Sequence, residues 1–431
     1  MKTLVSLLII GAMAAPGPLA AADGAPAVLS MEEAKAEALR NHPAYAEAQL
    51  RALLARESLK ETQSAYFPTA TGYADAVDAG SENTRILAGG INNPSVYDRV
   101  AEGVTVSQLI TDFGRTHNLS KGAKAQVRAA DEGAESSREQ IILNVEANYL
   151  AALQAQAVLE VAEKTLSARK LLVDQVSALE KNQLKSELDV SFAEVAFEQA
   201  ELLRQKAQGD IDGAMASLGA ALGRKDTRSF ILSDDHQEVT PPQDLEILVD
   251  SALKQRPDLL NLRDQLDSAQ SAAAAEKDAN YPTLAAVGVV GNAFTEDSHL
   301  PDKYAAAGVQ LSVPIFEGGA MIARQREAEI RARVAAETLR EAEDNVVLNV
   351  RLALVADQTA FQRLTTTREL LKHASQAYEL ARARYKAGSS SIVELSDAQL
   401  NQTSAAIAYA NVEYDTRVQA AILDYQTGAL H

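Results

Sequence analysis

The sequence predicts a mainly α-helical chain with a small complement of transmembrane β-structure. The expected assembly is an α-helical barrel continuous with a twelve-stranded β-barrel, built from three copies that give four strands each. Three observations carry this expectation. The chain is written twice, its long helices repeat apolar residues every seven positions, and it holds four two-faced segments of membrane-strand length.

The repetition is direct. "ALRNHP" at 38–43 returns as "ALKQRP" at 252–257, and "FPT" at 67–69 returns as "YPT" at 281–283, both at an offset of 214. "GVTVSQLITDFG" at 103–114 lies over "GVQLSVPIFEGG" at 308–319 at an offset of 205. The nine-residue difference falls between paired strands, near 79–97 and 295–302. Loops tolerate such changes and packed elements do not. The sequence therefore divides into a first repeat at 23–223, a polar linker at 224–244 and a second repeat at 245–431.

Residues 1–22 read as an export signal: Lys2 gives a charged start, Leu4 to Ile10 an apolar run, and Ala20-Ala21-Ala22 a small-residue cleavage site. In the first repeat a short helix at 31–41 meets Pro43, and a second at 44–66 ends at Pro68. Strands follow at about 68–78 and 99–110, then long helices at 115–181 and 187–223. The second repeat runs in the same order: helices at 245–255 and 258–280, strands at about 283–294 and 304–315, and long helices at 320–387 and 391–428.

The long helices cannot stand alone. Val145, Ala152, Leu159, Leu166 and Val173 are spaced by seven, and Ala151, Val158, Thr165, Leu172 and Leu179 form a second such column. Columns about 100° apart need neighbours on two sides. Val350, Leu364, Leu371, Tyr378 and Tyr385 keep the first column's phase in the second repeat, with Asp357 interrupting it. Sustained sevens mean coiled-coil contacts, and about 67 residues of helix reach on the order of 100 Å.

The helices turn at two tips. "YKAGSSSIVELSDA" at 385–398 has Gly388 for a left-handed turn, then Ser391 three residues before Glu394, a capping-box spacing. "EKNQLKSELDVSFA" at 180–193 does the same with Ser186 and Asp189, but Gln183 takes the place of Gly388, so that turn is expected to be looser or shifted to Asn182.

The strands require a membrane. Val104, Val106, Gln108 and Ile110 alternate with Gly103, Thr105, Ser107 and Leu109, and Val309, Leu311, Val313 and Ile315 alternate with Gly308, Gln310, Ser312 and Pro314. Val104, Val106, Ile110, Val309, Leu311, Val313 and Ile315 are the expected lipid-facing set, on segments of the roughly 9 to 11 residues a transmembrane strand needs. No segment of the mature chain has the roughly 18 apolar residues of a spanning helix. Four strands cannot close, and two copies would give a barrel filled by its own side chains. Three copies leave a lumen. A strand in the outer membrane then continues into a helix that crosses the periplasm.

The net charge of −18 supplies no basic stripe for nucleic acid. Cysteine is absent, which excludes disulfides, thiolate metal sites and a lipidated N-terminal cysteine. His42, His117, His236, His299 and His373 form no metal spacing or triad order, and Arg256 matches His42 in the second repeat, so His42 reads as a helix-end polar group. No phosphate loop or nucleophile elbow occurs, so neither an enzyme nor a cofactor is expected.

Proline-ended helix pairs, "FPT"/"YPT" strand starts, "SQLITDFG"/"SVPIFEGG" junctions and the Gly388, Ser391, Glu394 tip together resemble the TolC family of outer-membrane efflux proteins, over about 29–428. The resemblance implies a homotrimer in outer-membrane lipid with a periplasmic helical tunnel. It also implies docking to an inner-membrane transporter through a periplasmic adaptor, with Asn182, Gln183, Ser186, Asp189, Gly388 and Ser391 as contact candidates at the tips. Ser390 stands where some relatives carry arginine, so a salt-bridge lock does not carry over to that position. Glu394 and Asp397, at i, i+3 on one helix face, would put six carboxylates around a threefold mouth, or act only as helix caps. Tyr385 is placed to pack beside them. The competing class is a cell-envelope coiled-coil protein without a channel, in which the strands would have no purpose.

Overall fold

The computed structural model describes residues 28–77, 99–225, 230–234, 244–295 and 302–430. The expected signal segment and the loop residues 78–98 and 296–301 lie outside the described residues.

The chain opens with β1 (Val28–Leu29) and α1 (Met31–Asn41). Ser30 closes a full capping box on α1: its hydroxyl accepts from Glu33 N–H at 3.3 Å while Glu33 Oε2 accepts from Ser30 N–H at 3.0 Å. α2 (Pro43–Gln63) starts with proline at its first turn, and His42 Nδ1 accepts from Ala44 N–H at 3.3 Å. His42 is thus the helix-end group the sequence suggests. Then come β2 (Thr69–Val77), β3 (Arg99–Thr111), α3 (Arg115–Lys181) and α4 (Glu187–Ala221).

After β4 (Ile231–Leu232) the order repeats: α5 (Leu245–Gln255), α6 (Pro257–Asp278), β5 (Thr283–Thr295), β6 (Lys303–Ser312), α7 (Ala320–Lys386) and α8 (Ile392–Thr427). α3 and α7 are each 67 residues long. Among the described residues no helix is long and apolar enough to cross a membrane.

The strands form one antiparallel sheet in the order β2-β3-β5-β6, so β2 and β6 are its edges. β6 ends earlier than expected. Its pairing stops where Ser312 meets Thr283, the first residue of β5, and Pro314 has no N–H to extend a ladder. Val313 and Ile315 therefore fall outside the strand, exposed in the segment leading to α7. Ile110 stays within β3 as the extra residue of an irregularity between Leu109 and Thr111.

Three apolar clusters run down the helices. In the first, α1, β1 and β4 cover the α3–α4 hairpin around Val145, Tyr149, Leu218 and Leu222. In the second, α5 covers α7–α8 around Val350, Leu354 and Leu423. The third joins the tips through Leu172, Val176, Ala193, Ala381, Ile392 and Leu395.

The linker is more than a connection. β4 pairs in parallel with β1, and Asp234 accepts from Tyr414 at 2.9 Å and from Arg417 at 2.8 Å, both on α8. Tyr149 Oη lies 2.7 Å from the carbonyls of both Leu29 and Ser233, so one hydroxyl ties β1 and the linker to α3.

The heptad columns need one correction. Below Ala152 the deepest line on α3 is Ala162, Arg169 and Val176, at 0%, 6% and 0% exposure. It alternates with Val158, Thr165, Leu172 and Leu179 in steps of three and four to make the seam. Arg169 hides this column from a reading that counts apolar residues.

Channel wall and hairpin tips as the candidate functional site

Four strands position the wall. Backbone alternation puts Val104, Val106, Val290, Val309 and Leu311 on one face of the sheet. Thr71, Thr105, Ser107 and Gln310 lie on the other. Tyr73 on β2 and Tyr304 on β6 touch through their hydroxyls although two strands lie between them, so the polar face is the concave one. The apolar face is convex and its valines and leucines are exposed. This is the polarity of a barrel wall with lipid outside and water inside.

Both tips end their long helix the same way. Gly388 N–H donates to Tyr385 O at 3.0 Å and Ser389 N–H to Arg384 O at 3.0 Å. Gln183 N–H donates to Glu180 O at 2.7 Å and Leu184 N–H to Leu179 O at 2.9 Å. These are paired Schellman bonds, 205 positions apart. The first turn is neither looser nor shifted to Asn182: Gln183 itself takes the left-handed conformation, at φ 60° against 73° for Gly388. A β-carbon there costs about 1 kcal/mol that glycine avoids. Gln183→Gly should therefore stabilise the hairpin by up to about 1 kcal/mol in denaturant unfolding, and a loss of stability would show that the glutamine side chain holds the turn.

The restarts differ. Ser186 and Asp189 form a full capping box, with Ser186 N–H donating to Asp189 Oδ2 at 3.1 Å. Ser391 Oγ accepts from Glu394 N–H at 3.2 Å, but the Glu394 carboxylate turns away to take Arg384 Nη1 at 2.7 Å. Glu394 is thus half of a cap and half of an ion pair. Asp397 is exposed and makes no ion pair among the described residues. Ser390 Oγ donates to Ser391 O at 3.4 Å. Its counterpart in the first repeat, Lys185, sets its ammonium 4.7 Å from the centre of the Tyr385 ring, joining the two tips. The Tyr385 hydroxyl is buried without a hydrogen-bond partner among the described residues; burial, with Asp189 nearby, raises its pKa.

Between the hairpins, polar contacts run alongside the apolar cluster at the tips. Gln154 donates to Asn411 at 2.9 Å, the hydroxyls of Thr165 and Thr403 are 3.2 Å apart, and Arg169 donates to Ser396 Oγ at 3.1 Å and Ser396 O at 3.2 Å. Burial lowers the Arg169 pKa. Sequence reasoning missed Arg169 and Arg384, whose partners are residues of other helices. Among the described residues no cluster of three or more His, Asp or Glu is arranged to hold a metal ion.

Comparison with known proteins agrees with this geometry. Residues 35–224 and 248–429 each match the family described as "Outer membrane efflux protein", one match per repeat. The chain is 24% identical over 377 residues to the cation efflux system protein CusC of Escherichia coli K12, covering 84% of this chain and 78% of that one. It is 28% identical over 347 residues to the outer membrane protein OprJ of Pseudomonas aeruginosa, covering 77% and 70%. Its fold matches the outer membrane protein VceC of Vibrio cholerae with a TM-score of 0.78 at 18% identity, over 92% of this chain and 96% of that one. The two-faced sheet, the paired long hairpins and these matches together establish that the chain belongs to the outer membrane efflux protein family.

Proposed function

We propose that three copies of this outer-membrane efflux channel close into one exit duct, which receives solutes from an inner-membrane transporter through a periplasmic adaptor. The observation that carries the reading is the open sheet, with its convex apolar and concave polar faces and an edge strand on each side. An unpaired edge in lipid is untenable, so β2 of one copy meets β6 of the next. The helices support the same ring. α4 packs on α3, α3 on α8 and α8 on α7, which leaves α4 and α7 outermost. α4 carries exposed Leu188, Val195 and Leu202 at intervals of seven, and α7 carries exposed Leu348, Leu352 and Val355. Heterologous contacts of this kind close into a ring. Val104, Val106, Ile110, Val309 and Leu311 then face outer-membrane lipid, and the tip residues 182–189 and 388–391 face the adaptor.

At the mouth, Arg384 compensates Glu394, so Asp397 carries the cation-attracting role and Glu394 the structural one. The test is purified protein in detergent and in planar bilayers. A trimer with cation-selective conductance is expected. Asp397→Asn should weaken block by multivalent cations added at the tip end, while Glu394→Gln should loosen the tip and change block less. A stable soluble monomer of the same helix content would sink the duct. Block that survives Asp397→Asn but is lost with Glu394→Gln would reverse the two roles.

A further inference from the structure

Tyr73, Gly103, Gly291 and Tyr304 stand opposite one another in a single row across all four strands. The edge strands supply the tyrosines and the inner strands the glycines. In a flat sheet three strand intervals of about 4.8 Å would hold the two tyrosine backbones on the order of 14 Å apart. Here the phenols lean inward over the glycines until their hydroxyls meet.

The glycines permit this. A β-carbon at Gly103 would lie 2.7 Å from the Tyr73 hydroxyl and 2.8 Å from that of Tyr304. One at Gly291 would collide with the hydroxyl and Cζ of Tyr304. Each ring therefore lies along the wall instead of across the lumen, and each tyrosine is half-buried. Asp75 follows Tyr73 by two residues on the same concave face, opposite Ala101.

We infer that this row is a solute-binding station in the barrel and that its ligands are organic cations. The inference rests on the trimeric duct. Threefold symmetry sets three such phenol arches around the lumen at one level. Aromatic faces and phenol oxygens attract a cation whose charge is spread over alkyl groups. Neutral solutes pass the same wall without that attraction.

The experiment uses the full-length trimer in planar bilayers, with tetrapropylammonium added on the barrel side, away from the tips. Tyr73→Leu with Tyr304→Leu should raise the half-blocking concentration at least fivefold. Tyr73→Phe with Tyr304→Phe keeps the rings while removing the hydroxyl contact, and should raise it less than twofold. Both pairs should still assemble as trimers, so that the change is read in block relative to each variant's own open conductance. A half-blocking concentration unchanged in the leucine pair, or raised equally by the phenylalanine pair, overturns the station while leaving the duct intact. An unsubstituted chain that forms no conducting trimer overturns the duct reading, and the station with it.

Discussion

Val145→Pro is expected to abolish recovery of the trimer. Val145 is fully buried on α3, 30 residues inside a helix of 67, in the cluster with Ile141, Tyr149 and Leu218. Proline there removes one helix hydrogen bond and drives its ring into the carbonyl of Ile141, costing about 3 kcal/mol or more in each copy. The kink also misdirects every seam contact below it, from Ala152 to Val176, and a ring of three copies meets that error three times. The measurements are trimer yield in detergent and thermal unfolding followed by circular dichroism. Val145→Ala keeps the helix straight and isolates the packing loss, so it should assemble with a lowered midpoint. A proline variant that assembles normally would show that α3 does not bear on its neighbours at this level.

Asp357→Val should have the opposite sign. Asp357 occupies the column of Val350 and Leu364, is 2% exposed, and leaves Oδ1 without a hydrogen-bond partner among the described residues. Burial raises its pKa, which means the fold prefers the protonated form. Stability from a group with a raised folded pKa is fully present below the unfolded value and is lost as pH rises through the folded one. Near neutral pH the buried carboxylate therefore weakens the α7–α8 hairpin. Valine continues the apolar column and removes an unsatisfied group worth about 1–3 kcal/mol. The variant should melt higher than the parent, by a margin that grows from pH 4 to pH 8. Glu139, pushed up to about 7 chiefly by burial and by Glu135 beside it, adds its own pH dependence to both proteins and cancels in the difference. A variant less stable at both pH values would mean that a neighbouring copy supplies the missing partner.

Asp357 illustrates how far a local reading reaches. The interruption of the column is visible at the sequence level, because a sevenfold pattern needs only the residues of one helix. Whether the interruption is exposed, paired or orphaned depends on what α8 presents opposite. Arg169 shows the converse. Its position in the seam is concealed by its charge, and its stable placement depends on Ser396, 227 positions away. Glu394 reads as a capping-box acid from its spacing to Ser391, and half of that is realised. The other half yields to Arg384, ten residues back across the turn, because the guanidinium brings a full opposite charge to the carboxylate where Ser391 N–H is a neutral donor.

Helix lengths, tip positions, the His42 cap and the doubling of the fold all follow from patterns that close within a few residues or recur at a constant offset. Backbone hydrogen bonds reaching four residues, and side chains returning every seven, are local physics and survive in one dimension. The strand inside the linker, the polar contacts between the hairpins and the tyrosine–glycine row belong to the folded chain alone. Each joins segments roughly 200 to 260 residues apart through a register that no short-range preference encodes, whereas the early end of β6 follows from Pro314, a local signal. Gln183 marks the boundary between the two kinds of information. Its own preference opposes the left-handed turn, and it adopts that turn because the Schellman bonds and the packing of two long helices outweigh about 1 kcal/mol of backbone strain.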